Sequence, residues 1–384
     1  MVLVKNLLIE GWRTSPHSYA LVNQRQLLHL LDDPRFTIRH RDLPFYQAHW
    51  ANLDSGLPAS DQARLAAIPA APEGPWADLT YRISYPFHVH PGQGRVFVFA
   101  TRESPGSSPE DMVGADGRLD SAQPDAVEFI TPSTWSRAAL LAAGFASDRV
   151  HVVPLGADPA LARRLPASDR AAVRQTLGIP EDAFVFLNIG AMTWNKGIGP
   201  LIAAFAVHRR QHPRSMLLLK GSDALYGPLA GQALSEARQL REEAKDSDLV
   251  DSIRYLSQNL PAADLAALYG VSDAYISPYR AEGFNLPVLE AMVAGLPVLV
   301  TAGGATDDFC PPDFALPIAA DLQQTPRGGH LEPRIQSIVE VMQRIVGDPR
   351  LRERLSWTVS QWAVDQFSWG KVTTRLADLL AGPP

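Results

Sequence analysis

The chain carries a single cysteine, Cys310, in 384 residues. One thiol closes no internal disulfide and supplies no multi-cysteine zinc or iron–sulfur site. A reducing compartment, most simply the cytosol, is therefore expected, with Cys310 as a small buried apolar residue. Long hydrophobic runs are equally scarce. Met1 to Ile9 is interrupted by Lys5 and Asn6 and closed by Glu10, too short and too polar for a targeting signal. Leu286 to Ala305 is broken by Pro287, Glu290, Gly295 and Pro297, so it lacks the ~20 apolar residues of a membrane span. A peripheral contact with the inner face of a membrane stays open. An excess of positive charge is missing too: 35 Lys and Arg against 41 Asp and Glu leave a net charge of −6. This argues against nucleic acid as a partner, because such a partner requires many phosphates to be neutralised. A local basic pocket for one small anion remains compatible. No Gly-x-Gly-x-x-Gly loop follows any strand and no Walker A run occurs, which argues against a nicotinamide-dependent oxidoreductase.

What the chain does have is an ordinary globular balance, 46% hydrophobic and 20% charged, and a length that predicts two or three domains. Short apolar β-branched runs alternate with longer amphipathic stretches, the pattern of strand–helix–strand units around a mostly parallel sheet. In the first half, strands are expected at 2–9, 36–43, 80–85, 95–100, 126–131 and 150–155, with a helix at 19–31. Pro105 to Asp125, rich in Gly, Ser, Pro and Asp, reads as a mobile loop. The second half predicts strands at 184–189, 216–219, 253–256, 274–277 and 297–300. Helices are expected at 199–208, 231–245, 262–269 and 287–294, and three more near 334–346, 349–367 and 370–380. The domain boundary falls near 158–168. The fold class is α/β, two doubly wound Rossmann-like domains facing a cleft, residues 1–160 and 161–367.

The most informative run is Glu282-Gly283-Phe284-Asn285-Leu286-Pro287-Val288-Leu289-Glu290. A strand ends before it, the chain turns at Gly283, and a helix starts close to Pro287, where a missing N–H costs nothing. The free N–H groups of Phe284, Asn285 and Leu286 make an anion site at that helix start. Glu282 and Glu290 would border one pocket at different depths, and carboxylates suit vicinal hydroxyls of a ribose or hexose. On spacing alone, Glu282 as a solvated loop charge and Glu290 as a complement to the helix dipole remain the plainer reading. A second run, Gly190-Ala191-Met192-Thr193-Trp194-Asn195-Lys196-Gly197, joins a strand to a helix. Its glycines allow close backbone approach and its lysine offers a point charge for phosphate.

The run from Glu282 to Gly304, EGFNLPVLEAMVAGLPVLVTAGG, resembles the donor-site motif of the retaining glycosyltransferases of GT-B architecture, family 4. The resemblance extends to Gly190–Gly197, where the family has a run like G-R-x-x-x-x-K-G. Lys196 and Gly197 match, and Ala191 stands where the arginine is usual. Thr193, Asn195 and Arg13 are candidates to replace that arginine. Further agreement lies at Thr131–Ser136, at His151–Asp158, at Tyr255-Leu256-Ser257-Gln258 and at Phe367-Ser368-Trp369.

The resemblance implies a metal-independent hexosyl transferase that uses a nucleotide-diphospho-sugar, such as a UDP or GDP sugar, as co-substrate and needs no cofactor. Glu282 would touch the donor sugar and Glu290 the ribose. Lys196 would hold the diphosphate, and both Glu282 and Lys196 are the expected catalytic residues. Gly190, Thr193, Asn195, Leu256, Ser257, Gly283, Phe284, Asn285 and Leu286 would complete the donor site. The acceptor, a glycan, a lipid-linked sugar or a small molecule, would face the first domain, with Gly11, Arg13, His17 and Glu103 as candidate contacts. The last helix, about 368–384, would cross back to that domain. Asp246-Ser247-Asp248 superficially fits a D-x-D metal motif but sits in a charged stretch, where a solvated turn is expected. Ala191 motivates an alternative, a weakly active or inactive sugar-nucleotide-binding module of a larger assembly.

Overall fold

The computed structural model describes residues 4–104, 111–229, 231, 235, 248–325 and 328–382. The chain divides into two compact units. One comprises Met1–Gly156, Pro326–Gly328 and Phe367–Pro384, and the other Ala157–Thr325 and Gly329–Gln366. No helix among the described residues is long and apolar enough to cross a membrane.

The first unit is built on eight strands: β1 (Lys5–Gly11), β2 (Phe36–Asp42), β3 (Leu79–Ile83), β4 (Phe87–His88), β5 (Arg95–Phe99), β6 (Met112–Val113), β7 (Glu128–Thr131) and β8 (Val150–Val152). Six form a parallel sheet in the order β2-β1-β3-β5-β7-β8, and β4 pairs with β6 beside it. Parallel strands covered on both faces need near-continuous apolar sequence, and all five residues of β3 are buried. Helices α1 (Ser18–Leu30), α2 (Ala59–Ala66) and α3 (Thr134–Ala142) accompany the sheet. The C-terminal helix Trp369–Ala381 belongs to this unit and packs on α1, burying Val372, Leu376 and Leu380. Asp378 pairs with Arg35 at 2.7 Å beside it. A Cβ on Gly156 would lie 2.7 Å from the backbone of Trp369, so a bare glycine lets the chain pass the helix start.

The stretch expected as a loop over 105–125 is ordered in its described part, from residue 111. Met112 and Val113 are buried, Met112 in a cluster with Phe87, Val89 and Phe129, and 3-10 turns at Leu119–Ser121 and Pro124–Ala126 follow. Two apolar residues in a polar segment were enough to anchor it to the core.

The second unit repeats the alternation. Its main sheet contains β9 (Phe184–Ile189), β10 (Ser215–Lys220), β11 (Ile253–Leu256), β12 (Ala274–Ser277), β13 (Val298–Thr301) and β14 (Leu316–Ile318), followed by a two-stranded ribbon, β15 (Ala320–Thr325) and β16 (Gly328–Pro333). The helices are α4 (Ala167–Thr176), α5 (Ile198–Arg209), α6 (Asp223–Tyr226), α7 (Ala262–Val271), α8 (Leu286–Val293), α9 (Ile335–Gly347), α10 (Pro349–Arg354) and α11 (Trp357–Phe367). The sheet order is β11-β10-β9-β12-β13-β14, parallel throughout. Phe186, Leu201, Phe205, Leu217, Ile276, Leu299, Ile338 and Met342 meet in one buried core.

One expected element needs correction here. The single helix expected over 349–367 is two, because the chain unwinds at Leu355 and Ser356, where the Ser356 hydroxyl donates to the Gly295 carbonyl at 2.6 Å. Strands β14, β15 and β16 were not anticipated: β15 is largely exposed and carries no apolar alternation to announce it. Most of the helix expected over 231–245, and two of the three residues of Asp246-Ser247-Asp248, lie outside the described residues.

Candidate functional site

In an open parallel sheet, strands that leave in opposite directions open a crevice at their carboxyl ends, and ligands bind at that switch point. In the second unit the order reverses between β9 and β12. The two loops singled out in the sequence start there: Gly190–Gly197 follows β9, and 278–285 follows β12.

The two loops are joined by backbone and side chain. The Arg280 N–H donates to the Asn195 carbonyl at 2.7 Å, and the Asn195 side-chain amide donates to the Ala281 carbonyl at 3.3 Å. Trp194–Lys196 makes one 3-10 turn that ends at Gly197, with φ of +68°. A Cβ on Gly197 would overlap the carbonyl oxygen of Pro278, so only glycine permits this approach. The Lys196 ammonium donates to the Glu282 carboxylate, forming an ion pair at the centre of the junction. Glu282 is only 5% exposed.

Asn285 has φ of +74°, in the left-handed region that Asn and Gly tolerate best. Its amide donates to the Ser277 hydroxyl at 3.0 Å, tying the turn to the end of β12. The helix α8 then starts at Leu286 with Pro287 in its first turn. Phe284 stacks on Phe309 at 4.7 Å, so its ring is core and only its backbone is available to a ligand. Glu290 lies on α8 and accepts a hydrogen bond of 2.8 Å from the Tyr269 hydroxyl. Burial, and then the Glu290 charge, raise the Tyr269 hydroxyl well above its ordinary range, so it stays a neutral donor to the carboxylate.

Tyr275, on β12, ties that strand to the end of β9. Its hydroxyl donates to the Ile189 carbonyl at 3.1 Å and accepts from the Ile189 N–H at 3.2 Å, bridging the end of β9. Burial raises its pKa most, and the charges of both Glu290 and Glu282 add to that rise. Both carboxylates therefore act electrostatically on one hydroxyl at the switch point.

Of the other expected donor residues, Gly190, Thr193, Gly283 and Leu286 lie in the two joined loops or at the start of α8, whereas Leu256 and Ser257 lie at the end of β11, two strands from β9. Gly190 donates its N–H to the Lys220 carbonyl at 3.0 Å, and Thr193 bonds to Asn195. Leu256 and Ser257 accept from the N–H groups of Gly221 and Asp223, at 2.9 and 3.1 Å. Gly283 and Leu286 flank the turn before α8. Arg280, read as structural, is so: Glu332 of β16 holds it at 2.6 and 2.8 Å, and its guanidinium lies 4.9 Å from the centre of the Trp194 ring. Sequence reasoning missed Tyr269, Tyr275 and Lys220. The tyrosines read as ordinary core residues; Lys220, closing an apolar strand, was the one legible anomaly.

In the first unit the order reverses between β1 and β3, and Gly11, Arg13 and His17 occupy the loop after β1. Gly11 packs so closely that a Cβ would lie 2.5 Å from the Ile83 carbonyl oxygen. His17 caps α1, accepting the Tyr19 N–H on Nδ1 at 3.2 Å, and stacks on Trp50 at 4.4 Å. Glu103 is exposed, and its carbonyl accepts from the Trp135 indole at 3.0 Å. Arg13 is not available as a substitute for the missing arginine. Its Nε donates to Asp42 at 2.9 Å, its Nη2 bonds the same carboxylate, and its Nη1 donates to the Leu65 carbonyl at 3.0 Å. Among the described residues no three His, Cys, Asp or Glu side chains gather as a metal site.

The two doubly wound parallel sheets have the α/β architecture of the GT-B fold. Residues 169–359 match the sequence model of the family described as glycosyl transferases group 1. It is 31% identical over 240 residues to a D-inositol 3-phosphate glycosyltransferase of Saccharomonospora viridis, an alignment covering 61% of this chain and 50% of the relative. The chain spans about half the length of the curated relatives it matches. Among solved structures it is similar to a glycosyltransferase of Rickettsia africae ESF-5, with TM-score 0.69, 12% identity and 98% of each chain covered. It is also similar to HepE of Anabaena, described in complex with UDP-glucose, with TM-score 0.68, 16% identity and coverage of 98% and 99%.

Proposed function

We propose that the protein transfers a hexose from a nucleotide-diphospho-sugar to a hydroxyl acceptor, with retention at the anomeric carbon and without a metal. The observation that carries this reading is the Lys196–Glu282 pair at the switch point, with Glu290 held by the Tyr269 hydroxyl on the helix that follows. The names of the similar proteins, one a glycosyltransferase and one bound to UDP-glucose, support the same chemistry.

In this reading the nucleoside diphosphate lies across the carboxyl ends of β9 and β12. Glu290 accepts hydrogen bonds from ribose hydroxyls, positioned by the Tyr269 hydroxyl. Lys196 and the amides before α8 hold the diphosphate, and they gain strength as the C–O bond breaks and negative charge collects on the leaving oxygen. The anomeric carbon then carries oxocarbenium character, stabilised by the adjacent diphosphate. The acceptor oxygen bonds to that carbon on the face the diphosphate leaves, and its proton passes to the leaving phosphate oxygen, so no separate enzymic base is required. Glu282 orients Lys196 before the donor arrives and contacts sugar hydroxyls once it is bound.

With the native acceptor found by screening, Glu282→Ala and Lys196→Ala are each expected to lower turnover at least tenfold, and NMR of the product should show the donor's anomeric configuration. Activity in EDTA should persist. Near-normal kinetics in both variants overturn the assignment. Ala191 favours a second reading, a sugar-nucleotide-binding module with little turnover: donor binding without transfer to any acceptor in a broad panel selects it.

A further inference from the structure

Lys220 closes β10, a strand whose other five residues are Ser, Met and three leucines, all buried. The lysine itself is only 6% exposed. Among the described residues its ammonium makes no ion pair, and its one hydrogen bond goes to the carbonyl of Gly221, the next residue in the chain. Burying an ammonium without a directly paired carboxylate is unfavourable, and burial pushes its pKa down to about 8, against the opposing pull of Asp223. Asp223 in turn accepts from the Tyr255 hydroxyl. A structural role does not account for this cost, since a leucine would fill such a position better.

The location does. The backbone of Lys220 accepts the N–H of Gly190, the first residue of the loop that leads to Lys196. Lys220 therefore sits one strand from the switch point, at the carboxyl edge where a ligand lies. The other cations near the junction are engaged: Lys196 by Glu282, and Arg280 by Glu332. Thr193 and Asn195 bond to each other. A diphosphate entering here needs more positive charge than Lys196 supplies, because Glu282 offsets that lysine.

We propose that Lys220 is a second phosphate-binding cation of this site, contributing the charge that position 191 does not. The assignment rests on the reading of the switch point as a nucleoside-diphosphate site. It makes the buried ammonium a waiting partner, whose charge is matched only when the anion is bound.

The test is calorimetric titration of the full chain with UDP, GDP, inorganic pyrophosphate and the corresponding nucleosides. Lys220→Met is expected to weaken nucleoside-diphosphate and pyrophosphate binding at least tenfold, to leave any nucleoside affinity unchanged, and to keep or raise the ligand-free Tm. Lys220→Arg should restore a part of the lost affinity. A lysine acting only in the scaffold would instead lower Tm and weaken nucleoside and nucleotide alike. Binding of pyrophosphate and diphosphates within twofold of the parent in a folded Lys220→Met overturns the proposal. A parent that binds pyrophosphate in a Lys220-dependent way but binds no nucleoside diphosphate overturns the transferase reading and upholds the Lys220 assignment. A parent that binds neither overturns both.

Discussion

At the scale of single residues, conformation and burial decide what each side chain can do. Asn285 shows both: the backbone there has positive φ, and asparagine tolerates it while adding a tether to Ser277. His17 illustrates burial. Its pKa is lowered to about 4 by desolvation, and its Nδ1 must stay unprotonated to accept the Tyr19 N–H. The folded value lies below the unfolded value of about 6.5, so the unfolded state binds more protons between them. Stability from this group is complete above about pH 6.5 and is lost as pH falls towards 4. His17→Asn keeps a good helix cap without the titration. Thermal melts between pH 7.5 and 4.5 should show a shallower decline of Tm in the variant than in the parent; equal slopes would show that His17 does not couple to unfolding.

At the scale of elements, the junction between the Gly190–Gly197 loop and the 278–285 loop is the part most sensitive to shape. Gly197→Ala adds a methyl group into the Pro278 carbonyl and places alanine at φ of +68°. Positive φ alone costs about 1–2 kcal/mol, and the overlap adds to it. A destabilisation of about 2 kcal/mol corresponds to roughly 4–8 °C in Tm for a unit of this size. Calorimetry should find that drop together with loss of UDP or GDP binding; an unchanged Tm would mean the loops can separate at no cost. Elements were legible where their pattern was local. The strands β9, β11 and β12 and the helix α1 follow from local pattern and turn residues. Glu282, Glu290 and Lys196 were legible because each sits at a strand end or helix start. What stayed hidden depends on tertiary partners: the ribbon β15–β16, whose Glu332 fixes Arg280, the break at Ser356, made by a bond to Gly295, and Tyr269 and Tyr275, whose hydroxyls become meaningful only beside Glu290 and Ile189.

At the scale of the whole molecule, the two units differ in how self-sufficient the sequence makes them. The first is completed by the far end of the chain: Leu376 and Leu380 are fully buried there, and Lys5 donates to the Ala381 carbonyl. The second contains a core from β9 to α10 and every candidate donor residue, including Glu282, Glu290, Lys196 and Lys220. A parallel sheet with its own helices and core is a cooperative unit. The isolated segment 157–366 is therefore expected to unfold in one transition and to bind UDP or GDP with an affinity within about tenfold of the full chain. Its Tm should rise with nucleotide, since a ligand at 100 times its dissociation constant adds about 2.7 kcal/mol. The segment 1–156, deprived of its last helix, should expose the apolar face of α1 and bind the dye ANS. A folded 157–366 with no nucleotide-dependent Tm shift would show that residues outside it are required to hold the nucleoside diphosphate.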